Sequence, residues 1–190
     1  VIAQIDTGFM LDHPALQGRL VSDGIDLSGD GRANAAYDTR QRGATYWHAT
    51  AVASVLAGNT DENVQILPYK VVRFGTDTCA ASAVLAAMED AVANMSLSTS
   101  QNRAGFAVMM DKAAALGVAV CCSAGNVGAQ ISNRYPSALP QAITVSAVTA
   151  DKTVAGFSNY GNLVDYCAPG SHITVATMDS GGAPAATTAS

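Results

Sequence analysis

Charge is scarce in this chain. Lys and Arg together number 10 and Asp and Glu 15 in 190 residues, so charged residues are 13 % and the net charge is −5. No cluster of Lys and Arg occurs, which excludes a nucleic-acid surface, since phosphate binding needs concentrated positive charge. Long apolar runs are also missing: none approaches the roughly 18 residues of a membrane-spanning helix. Cysteine is sparse. Cys79, Cys121, Cys122 and Cys167 are too few for a disulfide framework. Cys121 and Cys122 are neighbours on an expected strand and point to opposite faces, so they do not pair with each other; buried free thiols are expected instead. Repeats, low-complexity tracts and interdomain linkers are absent. What is abundant is apolar: hydrophobic residues are 49 %, which fits one compact domain with a real core.

Hydrophobic spacing alternates between strand and helix. Val1–Ile5 reads as a strand, and residues 17–47 as a polar surface excursion carrying Asp23, Asp26, Asp30 and Asp38. From Thr50 the positions Ala51, Val52, Val55 and Leu56 recur with helical spacing, stopped by Gly58. Val64–Phe74 is an expected strand, Ala80–Val92 a helix, Asn94–Leu97 a short strand and Asn102–Leu116 an amphipathic helix capped by Gly117. Val118–Cys122 and Ala142–Val148 are apolar strands without alternation, as when helices cover both faces. The pattern predicts an α/β fold, three layers α/β/α with a mostly parallel sheet.

Three segments carry chemistry. Ser123-Ala-Gly-Asn126 follows an apolar strand and delivers an Asn amide to the carboxyl edge of the sheet, where open α/β proteins place their sites. A neutral donor there suits an oxyanion, although Gly-Asn is also an ordinary turn signal. Asp6-Thr7-Gly8 puts a carboxylate at the end of the first strand, with Gly8 letting the chain turn at once; a turn-capping Asp is the plainer reading. Aspartic peptidases share Asp-Thr-Gly but need a second copy and an all-β chain. His48 opens an Ala-rich helix. A lone His is more often structural, but an imidazole held by a carboxylate is what a general base needs.

These blocks resemble the subtilisin-like serine peptidases, the subtilases. The resemblance rests on Ile5-Asp6-Thr7-Gly8 with His13-Pro14, His48-Ala-Thr-Ala-Val-Ala-Ser, Asn94-Met-Ser-Leu97 and Ser123-Ala-Gly-Asn126, supported by Tyr135-Pro136-Ser137, Phe157-Ser-Asn-Tyr-Gly161 and Cys167-Ala-Pro-Gly170. It implies a serine endopeptidase with Asp6 as orienting carboxylate, His48 as base and Asn126 as oxyanion donor, meeting at one rim. Ser96, Leu97 and Ser98, with Ser123, Ala124 and Gly125, would line the groove for an extended peptide or protein substrate. No cofactor is expected for catalysis. The short connection after Gly58 and Ala15 in place of an Asp remove parts of the family's calcium site, so a structural calcium is an unsupported alternative; the acids in residues 23–38 could bind a cation, but their spacing fits no standard loop, and a solvated surface is expected there. Export from the cell is the family's habit.

The nucleophile departs from the family pattern. Gly-Thr-Ser is absent, and Thr188-Ala189-Ser190 stands where it belongs. Ser190 is one candidate; a serine beyond it, or none, are the alternatives. The last would make the chain a catalytically impaired pseudopeptidase that binds peptides or partners. Asp179-Ser-Gly-Gly182 resembles the nucleophile segment of trypsin-like peptidases, but the helical periodicity contradicts that double-barrel class, so Ser180 is a decoy. Trp47 and Ala49 flank His48 where the family favours glycines. His13 and His172 are expected to be structural. Both ends look cut, so elements before Val1 and after Ser190 are expected to belong to the same domain, with a propeptide or a complementing C-terminal segment covering apolar surface.

Overall fold

Strands and helices alternate as the hydrophobic spacing predicts, and the polar residues between them do more than the sequence suggests. The computed structural model describes residues 1–37, 47–76, 78–90, 93–100, 103–179 and 181–189. Ser190, Ser180, Asp38, Asn102 and Val92 lie outside the described residues. Two compact units are present: Val1–Ala91 with Thr174–Thr187, and Val92–Ile173 with Thr188–Ser190.

In the first unit β1 (Ile2–Asp6) runs parallel to β3 (Ile66–Lys70), with Ile2 opposite Ile66 and Asp6 opposite Lys70. The two-residue β2 (Ile25–Asp26) pairs with β3 on its other side, Asp26 opposite Lys70. Ala3, Gln4, Ile5 and Asp6 are all buried, so β1 is covered on both faces and shows no alternation. Helix α1 (His48–Asn59) packs through small residues: Ala49, Ala53 and Ala57 join Phe9, Leu16, Ala35 and Ile66 in one apolar cluster. Helix α2 (Ala81–Asp90) buries Ala83, Val84, Ala87 and Met88, one stripe of a helix.

Two boundaries and one surface segment differ from the sequence reading. Gly58 does not stop α1, which runs to Asn59; the last carbonyls are taken by Asn59 Nδ2 on Val55 O (2.8 Å) and Thr60 Oγ1 on Leu56 O (2.7 Å). The strand expected over Val64–Phe74 spans only Ile66–Lys70, because β1 ends at Asp6 and Val71 N takes the last ladder bond, 2.9 Å to Asp6 O. Val71 and Val72 lie past the end of β3 and are buried, and Val72 forms an isolated antiparallel bridge with Cys79. The acidic excursion is only partly a solvated face. The side chains of Asp26 and Asp30 are 1 % and 8 % exposed and surround Lys70, whose own side chain is fully buried. Lys70 Nζ donates to Ser28 Oγ at 2.6 Å and to Asp30 Oδ2 at 2.5 Å, and lies 3.5 Å from Asp26 Oδ1. A buried ammonium needs such partners. The cation that Asp26 and Asp30 hold is the chain's own.

In the second unit β4 (Ala93–Met95), β5 (Val120–Ser123), β6 (Ala142–Val148) and β7 (Tyr166–Pro169) pair in that order, all parallel. The bounds of β6 are those read from the sequence. Both β5 and β6 alternate between buried and half-buried residues, against the expectation of none, so one face is less covered than the other. Helix α3 (Arg103–Ala115) buries Phe106, Met109, Met110 and Ala113. Leu116, read as part of that apolar face, is 70 % exposed and lies past the helix end. There Gly117 (φ 74°) and Val118 donate to Ala114 O and Ala113 O, each at 3.0 Å, the paired bonds of a Schellman cap.

Strands β8 (Ile173–Met178) and β9 (Pro184–Ala189) form a two-stranded sheet that the sequence reading does not anticipate. Between them Asp179 Oδ1 accepts from Gly181 N (2.8 Å) and Ala183 N (2.9 Å). His13 is structural, as expected, since its Nδ1 accepts from Ala15 N at 3.1 Å and so opens the short 3₁₀ turn Pro14–Leu16.

Candidate active site

Strand β1 ends on Asp6 and helix α1 begins on His48, so two elements of the first unit each present a terminal residue. Asp6 is 2 % exposed and the His48 side chain 40 %. His48 Nδ1 donates to Asp6 Oδ1 at 2.7 Å, and Thr7 N donates to the same oxygen at 2.6 Å. Trp47, preceding α1, supplies no side-chain cap. Thr7 Oγ1 does so from β1's end, accepting from Ala49 N at 3.0 Å, while Thr50 Oγ1 accepts from Met10 N at 2.9 Å. These bonds lock the helix start to the strand end. Asp6's negative charge raises the His48 pKa above its ordinary value; burial works the other way, and the hydrogen bond adds to the rise. An imidazole so held has one nitrogen fixed as donor, which sets the tautomer a general base needs.

Gly8 serves close approach rather than the turn alone. A Cβ there would lie 2.4 Å from Tyr37 Cα, where Phe9 and Tyr37 exchange backbone bonds with residues 35 and 9.

In the second unit β5 closes on Ser123 and the chain continues into Ala124-Gly125-Asn126. Ala124 N donates to Val145 O at 2.9 Å, and Gly125 adopts φ 104°. Asn159, 2 % exposed, braces this loop with all of its side-chain polar atoms. Its Nδ2 donates to Ala124 O at 2.9 Å, and its Oδ1 accepts from Val127 N (3.1 Å) and Ala129 N (3.2 Å). Its backbone N donates to Gly125 O at 2.8 Å. A Cβ on Gly125 would fall 2.5 Å from Asn159 Nδ2, so the brace and the glycine require each other. Asn126 is exposed beside a pocket of about 280 Å³ lined also by Ser96, Ser123, Ala124 and Gly125. Leu97 and Ser98, named with Ser96 from the sequence, are half-buried and are not part of that lining. The strand expected over Asn94–Leu97 ends at Met95.

The structure therefore brings Asp6 to His48, and Ser96 to Ser123, Ala124, Gly125 and Asn126. Sequence reasoning finds Asn159 only within a supporting block, and Gln4 only as part of a strand; a polar residue inside an apolar strand is the available signal for the latter. Burial raises the pKa of Cys79 and Cys121, and burial with Cys121 alongside pushes Cys122 up to about 12, so these three thiols are held in the protonated form. Among the described residues no group of three or more His, Cys, Asp or Glu is placed to hold a metal ion, and no helix is long and apolar enough to cross a membrane.

A carboxylate–imidazole pair at one strand end and an amide loop after another, on parallel strands, are features of one peptidase class. Residues 1–189 match the model of the Subtilase family, and the chain belongs to that family. It is 29 % identical over 181 residues to Subtilisin-like protease 2 of Trichophyton equinum and 27 % identical to that of Trichophyton rubrum, covering 87 % of this chain in each case. It spans about 40 % of the length of these curated relatives. Among solved structures it is similar to a cold-adapted subtilisin-like serine proteinase at 26 % identity and a TM-score of 0.70, over 99 % of this chain and 68 % of that one. A protease from Pseudoalteromonas arctica shares the fold at 19 % identity and a TM-score of 0.83, over 99 % and 71 %. The α/β class, subtilisin-like and built on parallel strands, is thus established.

Proposed function

We propose that the chain carries the acid–base pair and the oxyanion loop of a serine endopeptidase acting on peptides or proteins. The observation that carries this reading is the 2.7 Å bond from His48 Nδ1 to buried Asp6. In the proposed reaction the Ser190 hydroxyl attacks the scissile carbonyl and His48 Nε2 takes its proton. Asp6 holds the imidazolium that forms, and Asn126 donates to the oxyanion. His48 then returns the proton to the leaving amine. Ser96 and the Ser123–Gly125 stretch would flank the bound peptide.

The test is labelling of the full-length protein by a fluorophosphonate, which reacts only with an activated serine. Label on Ser190, abolished in Ser190→Ala and His48→Ala, supports the reading, and both variants should lose hydrolysis by several orders of magnitude. One observation favours the rival, a peptide-binding pseudopeptidase: Thr188-Ala189-Ser190 replaces the family's Gly-Thr-Ser. Absence of any label in the intact protein would establish that rival. We also propose that a complementing segment covers part of the second unit, on the support of β7, whose four residues are all exposed, with Tyr166 at 65 %. Export is proposed on the family's habit alone.

A further inference from the structure

Gln4 is an odd residue for its place. It lies in the middle of β1 with no exposed surface, between Ala3 and Ile5, which are equally buried. Burying a primary amide is unfavourable unless its hydrogens find acceptors. Here both do. Gln4 Nε2 donates to Ala49 O at 2.8 Å and to Asp6 Oδ2 at 3.3 Å. Both partners can only accept, so the nitrogen must face them. That orientation leaves Gln4 Oε1 buried without a partner among the described residues. An apolar side chain would fill the strand without that orphan. The amide is kept where its only completed contacts are with the carboxylate and the first turn of α1.

We propose that Gln4 is a positioning residue for the proton-transfer pair: its amide fixes the second oxygen of Asp6 and ties it to the backbone beside His48. Residues two apart on a strand share a face, so Gln4 and Asp6 point the same way. Asp6 Oδ1 is occupied by Thr7 N and His48 Nδ1; Oδ2 has Gln4. A carboxylate held at both oxygens cannot rotate about its own axis, and its acceptor direction toward the imidazole is set. The other groups nearby do not take this part. Lys70 sits opposite Asp6 in β3, but its ammonium is engaged by Asp30, Ser28 and Asp26. Burial, with the charge of Asp6 adding to it, raises the Cys79 pKa and keeps it a thiol. The neutral amide is what meets Oδ2, and a neutral donor steadies the carboxylate without competing with the imidazolium for its charge as a cation would.

The proposal rests on the peptidase reading, and its test separates the two. Gln4→Met in the full-length protein keeps length and volume but removes both hydrogens. The expected result is kcat lowered about tenfold with KM unchanged, the loss of one hydrogen bond to a charged group. The imidazole NMR titration of His48 should move upward, because the carboxylate no longer shares its charge with a donor. That titration needs no turnover. If the wild-type protein neither hydrolyses peptides nor takes the fluorophosphonate, the peptidase reading fails while the His48 shift still reports on Gln4. A folded Gln4→Met with unchanged kcat and an unmoved His48 titration overturns the proposal. Should Gln4→Met fail to fold, Gln4→Glu decides. In that variant a protonated carboxyl can donate one bond, whereas an ionised one faces the carboxylate of Asp6. Its activity relative to wild type should therefore fall as pH rises, and a ratio independent of pH overturns the assignment.

Discussion

Asp6 and Asn126 each stand at or just past the carboxyl end of a parallel strand, β1 in the first unit and β5 in the second, but the two ends are secured by different chemistry. Around β1 two of the fixings are ionic, His48 on Asp6 and Lys70 between Asp30 and Asp26, beside the neutral bonds of Thr7, Thr50 and Gln4. Around β5 they are neutral, the Asn159 amide and backbone groups. The contrast follows the proposed roles. A base must gain and lose a proton, so it needs a permanent counter-charge that stabilises the protonated ring. An oxyanion exists only briefly, and a fixed dipole that bears no charge of its own meets it without reorganising. Sensitivity to pH should therefore reside in the first unit and sensitivity to geometry in the second.

The harshest break in that comparison is Asp6→Asn, which keeps the shape and removes the charge. Loss of kcat by about 10⁴-fold is expected, the size known for triads that lose this carboxylate. The pH dependence carries the sign. His48 is a base only when unprotonated, and Asp6 raises its pKa, so activity should rise with pH through a value above the ordinary imidazole range. In Asp6→Asn the main cause of the rise is gone, and the residual activity should set in at lower pH. Stability runs the other way. A raised pKa means that the pair's contribution to folding is complete below the ordinary His pKa and is lost as pH rises through the folded one. A pH profile of kcat/KM in which the acid limb stays put in Asp6→Asn would break the assignment of charge to this unit.

Next in size is Lys70→Met, which leaves Asp26 and Asp30 buried without their ammonium. Breaking one partner of a buried ion pair costs about 3–5 kcal/mol, read as a lower urea midpoint in the full-length protein. Asp30 sharpens the sign. Burial works to raise its pKa, but the Lys70 and Phe74 hydrogen bonds and the Lys70 charge outweigh burial and hold it below the usual carboxylate range. The stability it contributes is present above that range and should be lost as pH falls through the depressed value. In Lys70→Met this acid sensitivity should diminish. If Lys70→Met unfolds at the wild-type urea midpoint, the pair contributes no stability.

On the neutral side, Asn126→Ala should lower kcat by about 10²–10³-fold, the loss already known when a subtilisin is stripped of its oxyanion amide. The acid limb of the profile should not move, because no titrating group has changed. A shifted limb would show that the division between a charged and a neutral half is wrong.

How much of this is written locally in the chain follows from sequence separation. Asp6 and His48 are legible because each sits at the end of an element whose own period announces it, and so is α3, whose buried stripe Phe106, Met109, Met110 and Ala113 is a plain helical repeat. The bounds of β6 are legible from its β-branched and apolar composition rather than from a period. The Lys70 network is not: its acids are contributed from 40 and 44 residues away, and a lysine ending an apolar strand gives no hint of where its partners lie. Leu116 misleads because an apolar residue in register with a helix can fall just past its end and face solvent. Strand β9, Pro-Ala-Ala-Thr-Thr-Ala, stays hidden since alanine and threonine give neither alternation nor a long apolar run, and β8 without its partner gives no sign of a separate sheet. The brace at Asn159 is invisible as a role, though its block is conspicuous, because backbone bonds across 30 and 32 residues leave no pattern of side chains.

Asn159 offers the finest cut through the comparison. Its side chain makes no direct claim on the chemistry; it holds Ala124, Val127 and Ala129 on either side of Asn126. Asn159→Ala should therefore cost less than Asn126→Ala, about tenfold in kcat, since a displaced donor loses much of its effect while the amide itself survives. Asn159→Asp distinguishes a geometric brace from mere bulk. The carboxylate still accepts from Val127 N and Ala129 N but cannot donate to Ala124 O, whose carbonyl would then face a negative charge in a buried place. If the brace acts through hydrogen bonds, Asn159→Asp should be as damaging as Asn159→Ala despite its near-identical shape. Should the aspartate variant keep wild-type kcat, the loop is held by packing and by its backbone bonds alone, and the second unit's precision does not depend on this amide.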